Sequence, residues 1–178
     1  MKNYKWLVIF VIFILFVAGI WLKISNTNVV KNFKNTEPTN KSNQNINTEA
    51  DNASQIIINN KTFFVEVATD PATQRQGLSA RQSLNTENGM LFAYAEKKDL
   101  HFWMLDMKFN IDLLWINDDK VVGIEKNMPV PLAGAEDKDL LIYSSPEPVN
   151  RVLEINSGLA DQYGLKVGDS LEYKNINF

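Results

Sequence analysis

Hydrophobic and polar positions divide this chain into three stretches of unlike pattern. From Trp6 to Leu22 seventeen residues run without a charge, WLVIFVIFILFVAGIWL, between Lys5 and Lys23. At about 1.5 Å per residue that run makes ~26 Å of helix, and a snorkelling Lys23 lets Ile24 extend it toward the ~30 Å of a hydrocarbon core. Trp6 and Trp21 stand where amphipathic rings settle at the two membrane interfaces. The pattern predicts a tail over residues 1–5 and a transmembrane helix, or uncleaved signal anchor, over 6–24. A cleaved signal peptide has a shorter apolar core followed by a small-x-small site. Here the small pair Ala18-Gly19 lies inside the run, and bulky Ile20, Trp21 and Leu22 follow it.

Residues 25–54 carry nine asparagines in thirty positions and few large apolar side chains. Such a stretch buries too little surface to offset its ordering entropy, so it reads as a disordered linker with a reach of about 30 Å. From residue 55 to 178 short apolar runs alternate with turn signals, as expected of a folded β-rich domain. Ile56–Ile58 and Thr62–Ala68 flank Asn59-Asn60-Lys61, a tight hairpin, because asparagine tolerates positive φ. Asp70-Pro71 has the form of a helix N-cap followed by proline at the first helical position, and Gly77 ends that helix. Further strands are expected at Met90–Ala95, Leu100–Leu105, Ile111–Asn117, Lys120–Glu125, Leu140–Ser144, Val152–Asn156 and Ser170–Tyr173, with a second short helix near Leu159–Tyr163. Nine short strands and one or two short helices imply a mostly β domain, a small β-sandwich or partly open barrel.

Composition narrows the chemistry by exclusion. With no cysteine there is no disulfide scaffold, thiolate metal site, iron–sulfur cluster, cysteine nucleophile or lipoprotein anchor, and with His101 alone there is no pair of imidazoles. No phosphate loop, dinucleotide fingerprint or G-x-S-x-G elbow occurs, and Glu136, Asp137 and Asp139 lack calcium-loop spacing. No cofactor and no metal are therefore expected. The first 54 residues hold six lysines against three acidic residues, +3, whereas the other 124 hold 12 basic and 18 acidic, −6. An acidic domain without a basic cluster excludes nucleic acid as partner. Lysines flank both sides of the apolar run, so charge alone decides little about orientation. The short N-terminal tail and the missing thiols favour a folded domain outside the cytoplasm, and that location is the expectation.

Strand alternation puts Ile111, Leu113 and Trp115 on one face and Asp112, Leu114 and Ile116 on the other. Both faces are apolar, so Asp112 points into a poorly solvated place and needs donors or a cation. Glu154, between Leu153 and Ile155, and Glu66, between Val65 and Val67, pose the same question. Arg75 and Arg81 are the available partners. One reading is an arginine–carboxylate pair that docks the helical turn on the sheet. The other is a polar pocket in which Arg81 binds an anion or Asp112 acts as acid or base. His101 reads as a surface or partly packed residue. Phe102, Trp103, Phe109 and Trp115 read as core, with sugar stacking as the functional alternative.

Taken in order, Gly77-Leu78 with Arg81 and Leu84, Gly89-Met90-Leu91-Phe92, Phe102-Trp103-Met104, Ile111-Asp112-Leu113, Val152-Leu153-Glu154 with Gly158, and Gly164-Leu165 with Gly168-Asp169 resemble a prokaryotic family known as domain of unknown function 192. The resemblance spans Thr62 to Glu172. It implies a small, mostly β single domain, often behind a signal sequence or anchor, with no established activity. Its recurrent polar residues fall here on Arg81, Asp112, Glu154 and Asp169, and its most recognisable pair on Trp103-Met104. The chain departs from the family pattern at Leu105-Asp106-Met107, where Lys-Asn-Thr is common, at Asn110, where a proline is common, and at Ser79, where a methionine is usual.

The resulting expectation is a membrane-tethered, extracytoplasmic binding or interaction module of the cell envelope, held in the bilayer by residues 6–24. Its candidate pocket or polar set is Arg81, Trp103, Met104, Asp112 and Glu154, and its partner an envelope glycan, peptide or protein. No catalytic signature is present. The alternative is an envelope enzyme using Asp112 or Glu154 as acid or base while Arg81 holds an anionic substrate. A third reading makes the polar set entirely structural.

Overall fold

The structure, a computed structural model, describes residues 52–178. The span expected at 6–24 and nearly all of the expected linker lie outside them. Among the described residues, no helix is long and apolar enough to cross a membrane.

Local sequence signals set the elements. Strands β1 (Gln55–Ile58) and β2 (Lys61–Ala68) are joined by Asn59 and Asn60, both at positive φ, 47° and 59°, as a two-residue hairpin requires. Helix α1 (Pro71–Gln76) starts at Asp70, whose side chain accepts from the amides of Ala72 and Thr73, with proline at the first position and Gly77 closing it. There follow β3 (Asn88–Lys98), β4 (His101–Phe102), β5 (Ile111–Asn117), β6 (Lys120–Met128), β7 (Tyr143–Ser144), β8 (Val149–Asn156), α2 (Leu159–Gln162) and β9 (Leu171–Lys174). The fold is mostly β with two short helices, as the pattern predicts. Two expected strands shrink to two residues each. β4 and β7 pair only with one another, so apolar Leu100 and Met104 enter the core from irregular backbone instead.

Seven strands form one mixed sheet in the order β6-β5-β8-β3-β2-β1-β9, with β2 and β3 parallel. The sheet curls enough for the turn before β9 to reach β6: the Val121 amide donates to the Asp169 carbonyl at 3.0 Å, and the Gly168 amide donates to the Val121 carbonyl at 2.8 Å. A curled half-barrel results. Its concave face gathers Ile56, Phe63, Leu91, Leu114, Leu153 and Ile155 and is plugged by Leu159, Ala160 and Leu165. Its convex face carries Met90, Phe92, Leu113, Trp115 and Val152, covered by Leu78, Leu100, Met104 and Met107. Strands β3 and β8 approach closely at Gly89, where a Cβ would lie 2.9 Å from the Glu154 carbonyl oxygen. Only glycine fits there.

Asp112 faces the concave side and is 1% exposed. One carboxylate oxygen accepts from the Asn127 amide and the other from the Ala160 amide, each at 2.8 Å. Asn127 sits at φ 51°, where the register of β5 against β6 shifts. Helix α2 begins at Gly158, which has no side chain to cap it. Asp112 therefore supplies an acceptor to the β6 irregularity and to the start of α2 at once. Asp112→Ala is expected to lower the unfolding free energy by about 2–4 kcal/mol, because two buried amides lose their acceptor. Urea unfolding of the full chain measures this, and a loss within error of zero would refute it.

Candidate functional site

Glu154 stands on β8 on the convex face, opposite in direction to Asp112. Register places it beside Met90 of β3 and Leu113 of β5. It is 6% exposed, and its Oε2 is buried without a hydrogen-bond partner in the protein. Burial pushes its carboxyl up to about 8, against the opposing pull of the Arg81 charge. At neutral pH it is mainly a carboxylic acid, able to donate and to accept a hydrogen bond.

Above Glu154 lies a cleft of about 790 Å³, inside the roughly 300–1,000 Å³ span of small-molecule sites. Helix α1 and the turn Gly77-Leu78-Ser79 form one wall, and the segment His101–Met107 forms the other. Phe92, Tyr94, Phe102 and Trp103 give it an aromatic lining. Phe102 is locked edge-on between Phe92 and Trp115, with centroids 4.9 and 5.6 Å away. Trp103, the next residue, is 46% exposed. Tyr94 is pushed up to about 12 by burial and, secondarily, by the Glu154 charge. Its hydroxyl stays protonated throughout the physiological range.

Arg81 grips Glu66 of β2 with both terminal nitrogens. That hydrogen bonding holds Glu66 below the usual carboxylate range and raises Arg81. With side chains 33% and 60% exposed, the pair adds little stability, but it commits the guanidinium and leaves Glu154 only its field. Among the described residues, no group of three or more acidic or histidine side chains could hold a metal ion.

The sequence of residues 54–173 matches the model of the family described as uncharacterised ACR, domain of unknown function 192. The chain belongs to that family. No curated protein matches it in sequence. Two solved structures are similar to this domain of unknown function 192. One, from Sinorhizobium meliloti 1021 and described as a candidate transcription regulator, is 31% identical over 69% of this chain and 93% of its own, with a TM-score of 0.60. The other, a protein of unknown function from Novosphingobium aromaticivorans, is 29% identical over 66% of this chain and 83% of its own, with a TM-score of 0.59.

Within this member of domain of unknown function 192 the five candidate residues separate. Glu154 and Trp103 meet at the cleft, Arg81 acts on Glu154 from beside it, Met104 is buried in the convex core, and Asp112 lies behind the sheet. Asp169 accepts from the Asn59 side chain and the Lys166 amide, which ties two turns together. His101 is exposed, its Nδ1 2.9 Å from the Ser144 hydroxyl. The departures Ser79 and Leu105-Asp106-Met107 all line the cleft. Tyr94 was not singled out by its sequence, although it follows Met90 and Phe92 at strand spacing, the one signal that could have found it.

Glu154 ties this site to stability. Its folded value, about 8, exceeds the ordinary glutamate value of 4.5, so the native state retains a proton that the unfolded chain releases. The contribution of Glu154 to stability is full below about pH 4.5 and falls as pH rises toward about 8, by at most about 1.4 kcal/mol per pH unit. Glu154→Gln keeps the shape without the titration, so its melting-temperature advantage over the wild type is expected to grow between those two limits. A constant difference across that window would contradict the assignment.

Proposed function

We propose that the chain is a membrane-tethered module, working outside the cytoplasm, that binds a small polar ligand in the cleft over Glu154. The observation that carries the binding reading is the unpartnered, buried Glu154 oxygen on an open, aromatic-lined cleft. A buried polar atom without a partner is costly in a fold, and a ligand that reaches it recovers that cost on binding. Tethering rests on the uncharged run between Lys5 and Lys23, and the extracytoplasmic placement on the absence of cysteine from this sequence. Candidate partners are an envelope glycan, peptide or protein. The regulator description of the Sinorhizobium meliloti protein is not carried over, since a domain of charge −6 lacks the basic footprint nucleic acid requires.

A second reading, an envelope enzyme, is favoured by the raised value of Glu154, which suits a general acid near neutral pH. Asp112 does not share that role, because both of its oxygens accept backbone amides on the other face.

A thermal-shift screen on the purified full chain tests the binding reading. A true ligand is expected to raise the melting temperature of the wild type and to lose that effect in Trp103→Ala and Glu154→Leu. For location, protease added to intact cells is expected to digest the domain. Digestion only after lysis would overturn the extracytoplasmic placement.

A further inference from the structure

The charges around the cleft say what kind of ligand suits it. Arg75 and Asp106 line it with opposite signs. Arg81 is neutralised by Glu66, and Lys98 lies 4.3 Å from the centre of the Tyr94 ring, held there in the open. Glu154 is flanked by apolar Met90 and Leu113 on the neighbouring strands. Tyr94 and His101 are the other titratable groups in the lining. With Glu154 protonated, the lining carries no net charge to attract an ion of either sign. It offers instead a carboxyl that donates and accepts, a phenol, and an exposed indole face.

From this geometry we infer that the cleft takes an uncharged saccharide, its C–H face packed on Trp103 and a ring hydroxyl exchanging hydrogen bonds with the Glu154 carboxyl. This rests on the binding reading above and assigns its ligand class. A sugar ring pairs an apolar face with a rim of hydroxyls, matching an aromatic wall beside a buried group of mixed donor and acceptor character. A cation would need Glu154 ionised, because the other charges of the lining, Arg75 and Asp106, offset each other. An anion would find the one nearby guanidinium that acts on Glu154 already held by Glu66.

Proton linkage separates these cases. Isothermal titration of the full chain with N-acetylglucosamine, glucose, galactose and their disaccharides is expected to show binding that weakens by up to about tenfold per pH unit above about pH 8. Glu154→Gln, whose amide also donates and accepts, still binds saccharide but shows no pH dependence. His101→Gln retains the pH dependence, which assigns the titration to Glu154. Trp103→Ala weakens binding by about tenfold. If choline or ethylammonium binds instead, more tightly as pH rises and not at all in Glu154→Gln, the saccharide assignment is overturned while the binding reading survives. Binding of a tryptic peptide pool with no saccharide binding has the same consequence. If none of these probes binds to folded protein, both readings fall together.

Discussion

Strands β5 and β8 are covered on both faces, and most of the organisation of this domain follows from that. A curled sheet with an apolar concave face must be plugged, which α2 and the Leu165 turn do. Its convex face must be covered too, which falls to the irregular segment around Leu100, Met104 and Met107. Loops laid over a sheet leave gaps between them that a second sheet would close. The cleft beside Trp103 is such a gap, and it opens over a dry strand.

The same constraint gives the two buried carboxylates opposite fates. Asp112 enters the concave face where a strand irregularity and an uncapped helix each present a free amide, so its charge is met by two donors. Glu154 enters the convex face among Met90, Leu113 and aromatic rings, with the Arg81 guanidinium that acts on it already gripped by Glu66. Desolvation then dominates and the group holds its proton. One carboxylate is spent on the fold, and the other lines the cleft with a buried oxygen that has no partner in the protein. Family recurrence of a polar residue does not distinguish these roles.

Much of the fold was legible in the sequence because the signals are local. Positive φ at Asn59 and Asn60, the Asp70-Pro71 cap and the period-two alternation of Ile111–Ile116 depend only on neighbours along the chain. The two ribbons β4 and β7 were overestimated, because an apolar run does not state whether a partner strand lies beside it. The site was legible only in pieces. Trp103 and Glu154 could be named from alternation and resemblance, whereas Tyr94 and the Glu66–Arg81 pairing could not be ranked above other choices.

By itself, then, the sequence determined the class of fold, the positions of most strands, and which face of its own strand each residue takes. Side-chain alternation and turn chemistry are properties of short segments. The tertiary structure decided which faces of different strands coincide. Asp112 and Glu154 look equivalent along the chain, yet the register of β5 against β8 sets Glu154 beside Leu113, and so on the side opposite Asp112. Register and the curl of the sheet are settled by contacts between residues tens of positions apart, and those contacts made one carboxylate a clamp and the other the floor of a cleft.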